Sequence, residues 1–172
     1  RFDEALKSLE ELIKQRPRYA AAHLNKGLIL SKLKRSQEAE AAYLKALEIK
    51  PRYVSAVYNL AKLKAQQGER VEAIKGYERA LELNPKHLRS ALNLGVQHSD
   101  NNDPERAYIA YHRATEISPQ STLAWRMLGF TLRKLKRYEQ AADALKRSLE
   151  LDAEHLNTHN TLGVVYSKLK RH

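Results

Sequence analysis

The chain contains no cysteine. That excludes a disulfide framework and any thiolate-held metal, and it is compatible with a reducing compartment such as the cytoplasm, the expected location. Glycine and proline are scarce, at six and five residues, which suits helices joined by short turns. No stretch approaches the roughly 20 apolar residues needed to span a bilayer, and no signal-peptide pattern opens the chain. Acid is the scarcer charge: 20 Asp and Glu stand against 31 Lys and Arg, for a formal net charge of +11. Such an excess favours acidic partners, but composition alone does not choose between an acidic peptide, nucleic acid and an anionic surface.

What the chain has instead is a ruler. Pro17, Pro51, Pro85 and Pro119 stand 34 residues apart, and the next step lands on Ala153. The same phrase precedes each marker: EAAYLKALEIKP, EAIKGYERALELNP, ERAYIAYHRATEISP and QAADALKRSLELDA. A fixed period of this length in a chain rich in Ala and Leu is the signature of a helical-hairpin array. Apolar periodicity predicts ten helices, at 2–15, 20–33, 37–49, 54–67, 70–83, 88–99, 104–117, 122–135, 138–151 and 156–169. The turns between them are too short for anything but antiparallel neighbours. The chain is expected to be one array over 1–172, with half repeats at 1–19 and 156–172 and full repeats at 20–53, 54–87, 88–121 and 122–155. It opens on the second half of a repeat and stops on the first half of another, as a piece of a longer protein would.

Small residues recur where helices must cross closely. Gly27, Ala61, Gly95, Gly129 and Gly163 share one position in the first helix of each unit. Gly inside a helix costs about 1 kcal/mol relative to Ala, so its return at this spacing implies a close crossing. Ala39, Ala73, Ala107 and Ala141 play the matching part in the second helix. Four residues on, Tyr43, Tyr77, Tyr111 and Leu145 supply the bulk that fills the interface, with the Tyr hydroxyls expected at the wet edge or on a backbone acceptor.

On these residues the chain resembles the tetratricopeptide-repeat family. One unit carries Trp125, Leu128, Gly129, Leu132, Ala141, Leu145 and Ser148, with Ala153 at the proline position. The unit before it carries Ala91, Leu94, Gly95, His98, Ala107, Tyr111, Ala114 and Pro119. The resemblance implies an all-α, right-handed superhelical solenoid whose concave wall is lined by the first helix of each hairpin and holds peptides or partner proteins. The wall positions it assigns are Leu24, Asn25, Leu28 and Ser31, then Tyr58, Asn59, Lys62 and Ala65, then Arg89, Leu92, Asn93 and Val96. Arg126, Met127, Phe130 and Arg133 follow, then Asn157, Asn160, Val164 and Ser167.

Two features of that wall suggest a ligand. The column Asn25, Asn59, Asn93 offers amide donors and acceptors that can grip the backbone of an extended peptide; the alternative is that each Asn braces a neighbouring helix. The column resembles the asparagine ladder in the repeat arm of O-linked N-acetylglucosamine transferase, though it breaks at Met127 and Thr161. Tyr58 and Phe130 are candidate anchors, and Lys62, Arg89, Arg126 and Arg133 are candidate partners for carboxylates. The carboxylate clamp of repeat domains that bind chaperone C-terminal tails is not reproduced, because Leu24 and Leu28 stand where Lys and Asn are required.

The expected function is a non-catalytic scaffold for an extended or helical, acidic protein segment. Alternatives are the substrate-docking arm of a larger enzyme such as a glycosyltransferase, and self-association through exposed repeat ends. The motif KLKR at 32–35, 134–137 and 168–171 lies where first helices end, and favourable charge at a helix C-terminus explains it without nucleic acid. Seven histidines form no HExxH pair, and no nucleophile, phosphate loop or acid–base pair appears. No enzyme activity, cofactor or metal is expected.

Overall fold

The computed structural model describes residues 2–170. Among them are ten α-helices and no strand: α1 (Phe2–Gln15), α2 (Ala20–Lys32), α3 (Ser36–Ile49), α4 (Val54–Gln66), α5 (Arg70–Leu83), α6 (Leu88–Asp100), α7 (Pro104–Ile117), α8 (Thr122–Lys134), α9 (Tyr138–Leu151) and α10 (Leu156–Leu169). The helices pair as antiparallel hairpins, α2 with α3, α4 with α5, α6 with α7 and α8 with α9, and these pairs make the most extensive contacts in the chain.

Backbone chemistry at the 34-residue period explains where each helix stops. The turn inside each hairpin carries one left-handed residue: Lys34 (φ 60°), Gly68 (φ 80°), Asn102 (φ 54°) and Lys136 (φ 59°). The next amide reaches back across the turn, from Arg35 to Leu30 O, Glu69 to Lys64 O, Asp103 to His98 O and Arg137 to Leu132 O, all at 2.9–3.0 Å. This is a Schellman end, which satisfies carbonyls that the helix leaves bare. It ends α2, α4 and α8 one residue earlier than periodicity alone predicts. The second helices stop at Lys50, Asn84, Ser118 and Asp152, with ψ between 87° and 94°. In three of the four a proline follows, and its ring pushes the residue before it out of helical geometry.

Contacts divide the chain into two compact units, one up to Pro85 and one from Lys86. Leu6, Leu24, Leu30, Tyr43 and Leu63 centre the first core, with alanines filling the closest approaches. The second centres on Tyr111, Leu128, Leu132, Leu145 and Val165. Each large side chain so buried contributes about 1.5–3 kcal/mol.

The close crossings are as tight as the glycines require. A Cβ on Gly27 would lie 2.5 Å from the Tyr43 ring, one on Gly95 2.4 Å from Tyr111, and one on Gly129 2.7 Å from Leu145. The second hairpin inverts the arrangement: Ala61 takes the glycine position, and a Cβ on Gly76 of α5 would lie 2.5 Å from the Ala61 methyl. Gly163 on α10 meets nothing within 4 Å, so the crossing its sequence implies is not made.

The tyrosine column is buried, but its hydroxyls do not all behave as expected. Tyr43, Tyr77 and Tyr111 are 0–1% exposed. The Tyr111 hydroxyl is buried with no hydrogen-bond partner among the described residues. Burial pushes its pKa up to about 12, against a smaller opposing effect of Ser99. Large polar rings at another repeat position tie three of the five units to the loop before them, Val57 and Ala91 standing at the other two positions. Trp125 Nε1 donates to Pro119 O at 2.9 Å, and His23 and His159, two equivalents, set Nε2 at 2.9 Å from Pro17 O and 2.7 Å from Ala153 O.

Candidate functional site

In the first unit the candidate residues lie along α2 and α4. Asn25 and Lys62 are exposed, while Tyr58 and Asn59 are half-buried. Tyr58 packs on Tyr77 with ring centroids 6.0 Å apart and planes tilted by 46°, so part of its surface serves the core. Asn59 Nδ2 donates to Ser55 O one turn back, at 2.7 Å, which occupies one donor and leaves its carbonyl. Leu24, a wall position by register, is 6% exposed and belongs to the core, out of reach of a ligand.

In the second unit Arg89 and Arg133 are exposed; Asn93, Arg126 and Phe130 are half-buried. The structure brings two of these together. Phe130 and Arg133 line a groove of ≈ 480 Å³ with Met127 on α8, Asp100 at the end of α6, and Asn157 and Asn160 on α10. Arg89, Asn93 and Arg126 are not among its lining residues. The groove holds an apolar floor (Met127, Phe130), a cation (Arg133) and two amides. Asn157 and Asn160 were legible as wall positions, but the interrupted 34-residue column drew attention to Asn25, Asn59 and Asn93 instead. Asp100 reads in sequence as part of a polar turn.

The charges matter for what such a surface can hold. Among the described residues Lys62, Arg89, Arg126 and Arg133 form no ion pair, whereas many other cations are matched. Arg35 pairs with Glu38 at 2.6 Å, Arg137 with Glu105 at 3.0 Å and Arg147 with Glu150 at 2.7 Å. An unmatched guanidinium keeps its forked donors for a carboxylate.

A second kind of groove, absent from the sequence reading, lies over the second helices and recurs 68 residues apart. In the first unit it is ≈ 290 Å³, with Lys64 paired to Glu40 at 2.7 Å and to Glu69 at 3.0 Å. The hydrogen bond with Glu40, then that with Glu69, raises the Lys64 pKa. In the second unit Leu132 stands at the lysine position, Tyr108 at that of Glu40 and Arg137 at that of Glu69. The groove there is ≈ 460 Å³ and lined by Tyr108, Trp125, Leu128, Leu132 and Ala144. The Arg137 guanidinium carbon lies 5.0 Å from the Tyr108 ring centroid, a cation–π contact in place of the ion-pair trio. In sequence Trp125 stands only as a residue of the repeat motif, which does not show this wall.

Four of the histidines make structural contacts. His23 and His159 clasp loop carbonyls; His87 Nδ1 lies 2.8 Å from Ser90 Oγ and His155 Nδ1 3.0 Å from Thr158 Oγ1. No group of three or more His, Cys, Asp or Glu among the described residues could hold a metal ion. No described helix is long and apolar enough to cross a membrane.

Antiparallel helix pairs at a 34-residue period, glycine sockets filled by Tyr or Leu, and proline-marked junctions define a helical-hairpin repeat. The family profile for the tetratricopeptide repeat matches residues 1–54, and that for subunit 3 of the anaphase-promoting complex, cyclosome, matches residues 66–148. The chain is a tetratricopeptide-repeat protein. Solved structures with a similar fold include YrrB, described as a TPR protein with an unusual peptide-binding site, at TM-score 0.84 and 22% identity over 96% of this chain and 85% of that one. MamA from Desulfovibrio magneticus RS-1 gives TM-score 0.77 at 21% identity, covering 90% and 87% of the two chains. A tetratricopeptide repeat protein from Parabacteroides merdae gives 0.79 at 19% identity, covering 98% and 67%. At these identities the likeness is one of fold. No curated protein sequence matches the chain.

Proposed function

We propose that this chain is a non-catalytic protein-interaction scaffold that holds an extended, acidic partner segment on the first-helix faces of its repeats. The observation that carries the reading is the groove of the second unit, where apolar Phe130 and Met127, unpaired Arg133 and the amides of Asn157 and Asn160 converge. An apolar side chain of the partner would seat on Phe130, a carboxylate would take the Arg133 fork, and the amides would grip peptide backbone. Arg126, Arg89 and Lys62, also unpaired among the described residues, extend the preference for acid beyond the groove. Asn25, Asn59 and Tyr58 would hold backbone and an anchor on the first unit, and Asn93 would hold backbone on the second. That YrrB carries a peptide-binding site on a similar fold supports the reading.

The test is a fluorescence-anisotropy screen of labelled peptides that pair an aromatic or aliphatic anchor with acidic residues, against scrambled neutral controls. The expected result is selective binding of the acidic, anchored peptides, weakened by about tenfold in the Arg126→Glu, Arg133→Glu double variant and abolished by Phe130→Ala, with helicity unchanged. Equal binding of neutral controls, or affinity indifferent to all three substitutions, would overturn the assignment.

A further inference from the structure

The groove over the second helices of the second unit is a surface that an acidic partner does not use. It lies on α7, α8 and α9, and no residue of α1 or α10 lines it. The equivalent groove of the first unit holds an ion-pair trio, Lys64 with Glu40 at 2.7 Å and Glu69 at 3.0 Å. In the second unit Leu132, Tyr108 and Arg137 replace all three, and the volume rises from ≈ 290 to ≈ 460 Å³.

The chain already seats one arginine beside this groove. The Arg137 guanidinium carbon lies 5.0 Å from the Tyr108 ring centroid, and Nη2 donates to the two Glu105 carboxylate oxygens at 3.1 and 3.0 Å. An aromatic face and a carboxylate suit a guanidinium together, because it stacks with its flat side and donates from its edge. The groove offers the same two groups a second time, Trp125 from α8 and Asp143 from α9. Here no arginine of the chain takes them. Trp125 spends its one donor on Pro119 O, which orients the indole, and among the described residues no cation lies over its ring. Indole is the aromatic face that holds cations best. The Asp143 side chain is 80% exposed, and its cation among the described residues is Lys146, no nearer than 3.7 Å. Arg147, which also lines the groove, is committed to Glu150 at 2.7 Å.

We propose that this groove docks an arginine of a basic partner segment, its guanidinium shared between the Trp125 face and the Asp143 carboxylate. An apolar neighbour of that arginine would lie against the floor of Leu128 and Leu132. The stretches from Trp125 to Leu132 and from Gln140 to Arg147 each cover about 10 Å of helix axis, the length of about three residues of extended chain. The formal charge of +11 repels a basic peptide at long range, so any binding must come from the local pair of ring and carboxylate. The charge preference is opposite to that of the groove at Phe130 and Arg133, and it stands whether or not that groove binds an acidic segment.

The experiment is an anisotropy titration of a labelled, end-blocked peptide in which one arginine stands between two leucines, against matched peptides with citrulline, lysine or glutamate in its place. Trp125 is the one tryptophan of the chain, so its emission reports binding at the site itself. The arginine peptide should bind saturably below about 1 mM and change Trp125 emission with the same midpoint. Citrulline keeps the shape without the charge, and both it and glutamate should bind at least about tenfold more weakly. Lysine lacks the flat, forked head and should bind several-fold more weakly. Asp143→Asn should weaken the arginine peptide by about tenfold, whereas Glu78→Gln, the same change of charge on an exposed residue of the first unit, should leave it unchanged. Both side chains lie in solvent, so the fold is kept, and circular dichroism checks it. No saturable binding, equal binding of the citrulline or lysine peptide, preference for glutamate, an unmoved Trp125 spectrum, or equal affinity in Asp143→Asn would each overturn the proposal.

Discussion

Alanine at two equivalent glycines should move stability in opposite directions. In both Gly163→Ala and Gly95→Ala the helix gains intrinsic propensity, worth about 1 kcal/mol at an interior position. At Gly163 that gain stands alone, because the new methyl meets nothing within 4 Å. At Gly95 the methyl would lie 2.4, 2.6 and 2.7 Å from three carbons of the Tyr111 ring. That ring is 0% exposed, so it cannot swing into solvent, and α6 and α7 must separate instead. Overpacking of this kind costs about 1–3 kcal/mol. Because the propensity gain is common to both, the difference between the two variants isolates the packing cost. Urea unfolding followed by circular dichroism, at protein concentrations low enough to exclude self-association, measures it, with unchanged m-values as the check that the transitions compare. Gly163→Ala should raise the midpoint and Gly95→Ala should lower or fail to raise it, with a gap of about 1–3 kcal/mol. Equal shifts of the same sign would refute the idea that Gly95 is retained for the crossing.

Tyr111→Phe removes a buried hydroxyl without a partner, and should be neutral or stabilising by up to about 1 kcal/mol in thermal melts at pH 7. The same variant tests linkage: with the folded pKa pushed up to about 12 and an ordinary value of 10.0, the fold favours the protonated phenol. That contribution is complete below pH 10 and is lost as pH rises towards 12, so the parent should shed about 2 kcal/mol in that window that Tyr111→Phe retains. Lys136→Gly relieves a left-handed residue, at φ 59° where the equivalent Gly68 sits at 80°, and should stabilise the second unit by about 1 kcal/mol in urea titrations.

The helices were legible because two local signals coincide. Proline or its substitute punctuates every second helix, and apolar spacing marks each face, so predicted ends fall within one residue of those observed. Binding surfaces were less legible, because a repeat register assigns a position to a face but not to a depth. Leu24 shares its register with Tyr58 and Arg126, yet it lies in the core while they reach the surface in part. The Lys64–Glu40–Glu69 trio joins three helices or turns, and no local window shows it. Trp125 was hidden by its own motif: a residue that explains the fold invites no second use.

The exchanged pair Ala61 and Gly76 bears on how such an array can change by recombination. In the other hairpins the Gly76 position holds Ala42, Ala110 or Ala144, and the Ala61 position holds glycine. Moving α4 without α5 would set two methyl groups against each other at 2.5 Å, a separation real side chains do not tolerate. The second hairpin therefore carries a lock of its own, and α4 is inherited together with α5. A crossover that joins α4 to the second helix of another hairpin meets this clash, while the reciprocal join sets two glycines together and does not.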